Sequence, residues 1–199
     1  MASQTEICNR ALTKLGAARI TDIAENSKSA RAMNALWETV RKAELRRRIW
    51  TFAAVRTTVP EVTPQPEWGY GHGYQTPSDC LRLLQIGQTF AVPAMTDYRD
   101  QDDSAYQLEG GLILTDQNAP LKIRYIRDIT DTGRFDALFV EALASKLAYE
   151  AAEEITQSAS KKAQAGEDYK QALRDATATG AVERAPQGFP DDSWMLIRL

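Results

Sequence analysis

Two thiols, one imidazole and a short run of aspartates are the side chains here whose types could do covalent chemistry. The thiols are Cys8 and Cys80, and the single histidine, His72, lies eight residues before Cys80. A cysteine nucleophile needs an imidazole within hydrogen-bond reach to draw off its proton, a third group to orient that imidazole, and donors for the oxyanion. Neither an orienting acid nor an oxyanion motif is recognisable around this pair. Two cysteines so far apart form neither a disulfide framework nor a metal-ligand spacing, and one histidine cannot supply a histidine-rich site. Asp97, Asp100, Asp102 and Asp103 could offer the two facing carboxylates of a glycosidase, but such a run ordinarily belongs to a solvated turn. Phosphate-cradling glycine loops, dinucleotide fingerprints and zinc spacings are missing from the sequence. The expectation is a protein with no cofactor and no metal that is not an enzyme.

Three other groups of residues suit binding instead. Arg41, Lys42, Arg46, Arg47 and Arg48 form a basic cluster. It reads either as a solvated helix end that complements the negative pole of the helix dipole, or as a contact for an acidic neighbouring subunit or for DNA phosphates in a channel. Trp68, Tyr70 and Tyr74 alternate with Gly69, Gly71 and Gly73, the composition of a loop whose rings could adapt to a partner or stack on carbohydrate. Trp194, Met195, Leu196 and Ile197 follow Asp191 and Asp192 near the end of the sequence. Large apolar anchors of this kind dominate interface energetics, so the segment reads as a docking arm, with a tail folded on its own core as the alternative.

The elements that must position these groups can be read from spacing. Ser3 and Glu6 have the capping-box separation. Ile7, Ala11, Leu12 and Leu15 then follow a helical stripe that Gly16 would stop. A second helix is expected from Ser27 or Ser29 to about Arg48, with Met33, Leu36, Trp37, Val40 and Ala43 as its apolar face. From Trp50 the texture turns to Thr, Val and Phe, broken by Pro60, Pro64 and Pro66. Thr51–Val62, Cys80–Ile86, Phe90–Met95, Ala105–Glu109, Leu112–Thr115 and Leu121–Arg127 read as short strands. Gly110-Gly111 supplies the positive φ that a type I′ hairpin turn demands. Such strands make a small antiparallel sheet or barrel. Helix returns after Gly133 with Phe135, Leu138, Phe139, Ala142, Leu143, Leu147 and Ala151. A thinner, alanine-rich helix follows over about Ser158–Thr179. The fold class expected is therefore α+β: a bundle from residues 1–49 and 133–180, an inserted β-domain over 50–132, and an extended C-terminal arm over 181–199.

Charge changes with these blocks. The chain has 199 residues and a net charge of −3, and an acidic balance argues against a dedicated nucleic-acid domain. Residues 1–49 carry ten Lys and Arg against five Asp and Glu, whereas residues 50–132 carry six against eleven. Rings of identical chains must match unlike patches on each protomer, so this asymmetry suits pairing between subunits. No apolar run approaches the ~20 residues of a membrane helix, and the first residues lack a signal-peptide layout. A soluble protein made in a reducing compartment and without a membrane partner is expected.

Taken in order, several segments resemble the tail tubular protein A family of tailed phages, within the wider group of head-to-tail adaptors. They are ICNRALTKLGAARITDI, ARAMNALWETVRKAELRRRIWTFA, YQTPSDCLRLLQI, EGGLILTDQNAPLKIRYI and RFDALFVEALASKLAYEAAEEIT. The resemblance implies a virion structural protein that forms a twelve-fold homo-oligomeric ring beneath the portal protein. Such a ring would receive the distal tail nozzle or tube and let double-stranded DNA pass during ejection. It implies a location in the neck of the virion tail after synthesis in the host cytoplasm, with the segment DDSWMLIRL, residues 191–199, reaching along the portal. A DNA-binding module using the basic helix 41–48 and a tail-associated polysaccharide hydrolase are the other readings.

Overall fold

A computed structural model describes residues 2–87, 89–90, 92–93 and 105–182 of the chain. Helix α1 spans Gln4–Leu15 and opens with the expected capping box: Glu6 N–H donates to Ser3 Oγ at 3.2 Å, and Ser3 N–H donates to Glu6 Oε2 at 2.8 Å. It ends at Gly16, whose φ of 71° closes the helix in the left-handed conformation that glycine adopts without strain. Buried Asn9 then holds the following loop, donating to Ile20 O and accepting from Ile20 N–H, both at 2.8 Å. Helix α2 spans Lys28–Arg47 with Ser27 as its cap. Its buried face is Met33, Trp37, Val40, Arg41, Glu44 and Leu45 rather than the purely apolar stripe the spacing suggests, and Ala43 points to solvent.

After a single 3-10 turn at Thr51–Ala53 come eight strands: β1 Ala54–Val59, β2 His72–Gln75, β3 Cys80–Ile86, β4 Thr89–Phe90, β5 Val92–Pro93, β6 Ala105–Glu109, β7 Leu112–Thr115 and β8 Leu121–Arg127. They form two four-stranded sheets, one ordered β1-β8-β3-β4 and the other β2-β7-β6-β5, where the sequence suggested one sheet or barrel. All pairings are antiparallel except the short β5–β6 pair. The β6–β7 hairpin turns on Gly110 and Gly111, at φ 55° and 83°. His72–Gln75 is a strand that pairs with β7, which corrects the expectation of loop throughout Trp68–Tyr74. A Gly–ring alternation can satisfy a strand when the ring packs inward, as Tyr74 does between the sheets.

Helix α3 spans Ala137–Thr156, capped by Asp136, and α4 spans Ala159–Val182. The α+β fold therefore runs helix–helix–sheets–helix–helix. Its apolar residues form two clusters. One joins the helices through Leu12, Met33, Leu45, Phe139, Leu143 and Leu147, with an aromatic group of Trp50, Phe52, Phe135 and Phe139 whose neighbouring centroids lie 4.8–6.2 Å apart. The other lies between the two sheets and includes Val59, Tyr74, Ile86, Ile113 and Ile123. The first sheet is the shared layer. By strand alternation its Leu84 and Ile126 enter the helical cluster while Leu83 and Tyr125 enter the inter-sheet one. The segments 94–104 and 183–199 lie outside the described residues, and with them the aspartate run and the arm Trp194–Ile197.

Candidate functional site

The basic cluster on α2 is spent on the fold. Arg41, read from sequence as a contact for a neighbouring subunit or for DNA, is 0% exposed, which corrects that reading. Its guanidinium bonds Asp128 closely, donates to Ile129 O at 2.6 Å, and donates to Glu38 Oε2 at 2.8 Å. Burial works against the Arg41 charge, and the Asp128 and Glu38 bonds outweigh it and hold the pKa above the ordinary guanidinium value. Lys42 lies 3.6 Å from Glu38 and 3.7 Å from Asp128. Arg46 donates to Leu81 O at 2.9 Å, fastening α2 to β3. Arg47 lies over the Tyr169 ring, 5.6 Å from its centroid. Arg48 donates to Leu173 O at 3.0 Å and covers the Trp50 ring. The cluster is thus not simply a solvated helix end, because its members link α2 to β3, β8 and α4.

Beneath it lies a polar pair that sequence reasoning missed. Tyr169 on α4 donates its hydroxyl to buried Glu44 Oε1 at 2.5 Å. The Glu44 backbone carbonyl accepts from Trp50 Nε1 at 2.9 Å, while Glu44 Oε2 is buried without a hydrogen bond. Burial raises the Glu44 pKa above its usual 4.5, against the Tyr169 hydrogen bond and the positive charges of Arg47, Lys146 and Arg48. Nothing in a run of i, i+3 spacing announces that a glutamate faces inward; the signal lies 125 residues away in Tyr169.

The residues suited to covalent chemistry are held apart in roles of their own. Cys8 is packed in the helical cluster, and burial pushes its pKa up to about 12. Cys80 on β3 is pushed up to about 11 by burial, so it holds its proton at neutral pH. His72 stands on β2 in the other sheet, its Nδ1 2.5 Å from Glu61 Oε1, and Gln65 donates to the same oxygen at 2.5 Å. The aromatic segment divides. Trp68 is 85% exposed and Tyr70 half-buried, but Tyr74 is fully buried between the sheets and donates to Gln117 O at 2.6 Å, which removes it from any contact loop.

An open positive surface does exist, on the first sheet. The β1–β8 register sets Arg56 opposite Arg124 and Thr58 opposite Lys122, on the same face that carries Ala54 and Ile126 into the helical cluster. The helices cover one end of this face. At the other end a groove of about 440 Å³ is lined by Arg56, Thr58, Lys122, Arg124 and Gln85 of β3. None of the three cations pairs with a carboxylate among the described residues; the cation–carboxylate pair at this sheet's end is Arg127 with Asp79, at 2.8 Å. Gln85 Oε1 is buried there without a hydrogen bond. Sequence reasoning missed this patch, since Arg56 and Lys122 are 66 positions apart and meet, with Arg124, only through the strand pairing. Among the described residues no cluster of His, Cys, Asp or Glu could hold a metal. No helix among them is long and apolar enough to cross a membrane. No protein-family model matches this chain, and no curated protein matches it.

Proposed function

We propose that the chain is an assembly protein of the head-to-tail adaptor kind, a ring subunit between a portal and the distal tail through which DNA passes. The observation that carries this reading is the order of elements. Two helices, a sheet region and two further helices follow one another, as the resemblance to tail tubular proteins implies. Two surface features support it. Trp68 is a large ring left 85% exposed, the residue type that anchors interfaces. Helix α4 buries a slim face, Ala165, Tyr169, Ala172 and Ala176, with Leu173 packed beside it, and exposes much of the remaining surface over residues 159–179. The basic helix gives little support to a DNA-binding module, since its arginines are engaged within the chain.

The test is assembly with and without the terminal segment. Sedimentation velocity should show the full chain joining its portal, and a chain lacking residues 186–199 should stay folded by circular dichroism yet no longer join. Equal binding by both would remove the arm from the docking role. A full chain that ignores the portal and never oligomerises would remove the adaptor reading itself.

A further inference from the structure

We infer that the groove on the first sheet binds the phosphodiester backbone of nucleic acid. Its cations are arranged at a cost that the fold alone does not explain. Like charges placed directly opposite on a sheet face repel, yet Arg56 and Arg124 are cross-strand partners, with Lys122 on the same face two residues along β8. Several other cations of this chain are given acids: Lys14 with Glu141, Lys146 with Glu150, Lys162 with Glu153, Lys170 with Glu167. Here, among the described residues, they are left open. A surface of unneutralised donors is a site for an anion.

The donor set favours phosphate over carboxylate. One guanidinium fork matches the two oxygens of a carboxylate. Two arginines side by side, with a lysine and the Thr58 hydroxyl behind them, suit phosphate oxygens that spread donors around a tetrahedral centre. The layout favours a polymer over a single anion. The Arg56–Arg124 tier and the Thr58–Lys122 tier are two residues apart, roughly 7 Å along the strands, in an open groove on the sheet face. The groove lies wholly within one chain, so the inference stands apart from ring formation and is testable on a protein that never assembles.

The experiment is fluorescence anisotropy of a labelled DNA duplex against the full chain at several salt concentrations. The expected binding weakens with salt at a log–log slope of about −2 to −3, since three neutralised phosphates contribute about 0.9 each. Arg56→Glu, Lys122→Glu and Arg124→Glu together should weaken binding at least tenfold. The same charge change at Arg10, Lys28 and Arg31 should weaken it no more than about threefold. Arg56→Gln with Arg124→Gln gives an intermediate loss if the triple reversal does not fold. Undetectable binding at low salt, or equal losses from the two reversals, overturns the proposal. Competition separates the sources: inorganic phosphate should displace the duplex only at far higher concentration. Displacement at equal concentration by inorganic phosphate makes the ligand a free anion, displacement by polyglutamate makes it an acidic protein segment, and either result overturns the nucleic-acid assignment.

Discussion

Replacing Arg41 with methionine should remove one tie between the two halves of the fold while keeping most of the stem volume. The guanidinium bonds Asp128 and Ile129 O just beyond β8 and Glu38 on its own helix, all from a position with no exposure. Breaking a buried ion pair by deleting one partner costs about 3–5 kcal/mol. The orphaned carboxylates here can rehydrate in part, since Asp128 is 20% and Glu38 60% exposed, so the pair itself falls at the low end. Leaving Ile129 O without its donor adds about 1 kcal/mol. Methionine recovers some apolar burial, and the net loss is about 3 kcal/mol. For a chain of this size each kcal/mol shifts Tm by about 2–4 °C, which gives a drop of about 6–12 °C. Urea unfolding followed by circular dichroism, with a thermal melt beside it, reads both quantities. A loss under about 1 kcal/mol would refute the structural role of Arg41 and return it to the candidates for contact between subunits.

Other expectations follow from the same geometry. Glu44 holds its proton more tightly folded than unfolded, so stability should fall as pH rises from near 4.5 through the higher folded value. Glu44→Gln should flatten that dependence in pH-resolved denaturation; an unchanged slope would put its origin elsewhere. Arg56→Glu turns a repelling cross-strand pair with Arg124 into an attractive one, and should raise stability by about 0.5–1 kcal/mol in urea titrations while weakening duplex binding. With thiols raised to about 12 and about 11, Cys8 and Cys80 should resist iodoacetamide at pH 8 and react only on unfolding. Rapid labelling of the native chain would contradict their burial.

The features legible in the sequence were those set by neighbours in the chain. Ser3 with Glu6, Gly16, the Gly110-Gly111 turn and the four helices are short-range patterns, and they are found where spacing places them. What pattern could not show depends on distant partners. Arg41 and Glu44 are buried because Asp128 and Tyr169 meet them from 87 and 125 residues away, so a basic and acidic helix end looked solvated. Strand spacing likewise could not divide the β region into two sheets, because that choice rests on which strands pair. Tyr74 looked like a loop ring because its glycine neighbours mask a strand whose partner is β7. The sheet groove was hidden for the same reason: Arg56 and Arg124 become neighbours only once the β1–β8 register exists.

Ring formation is the central claim, and native mass spectrometry of the 22.1 kDa chain with and without its portal tests it most directly. About twelve copies in a closed ring are expected, alone or added to the portal. A chain that stays monomeric in both samples would contradict it.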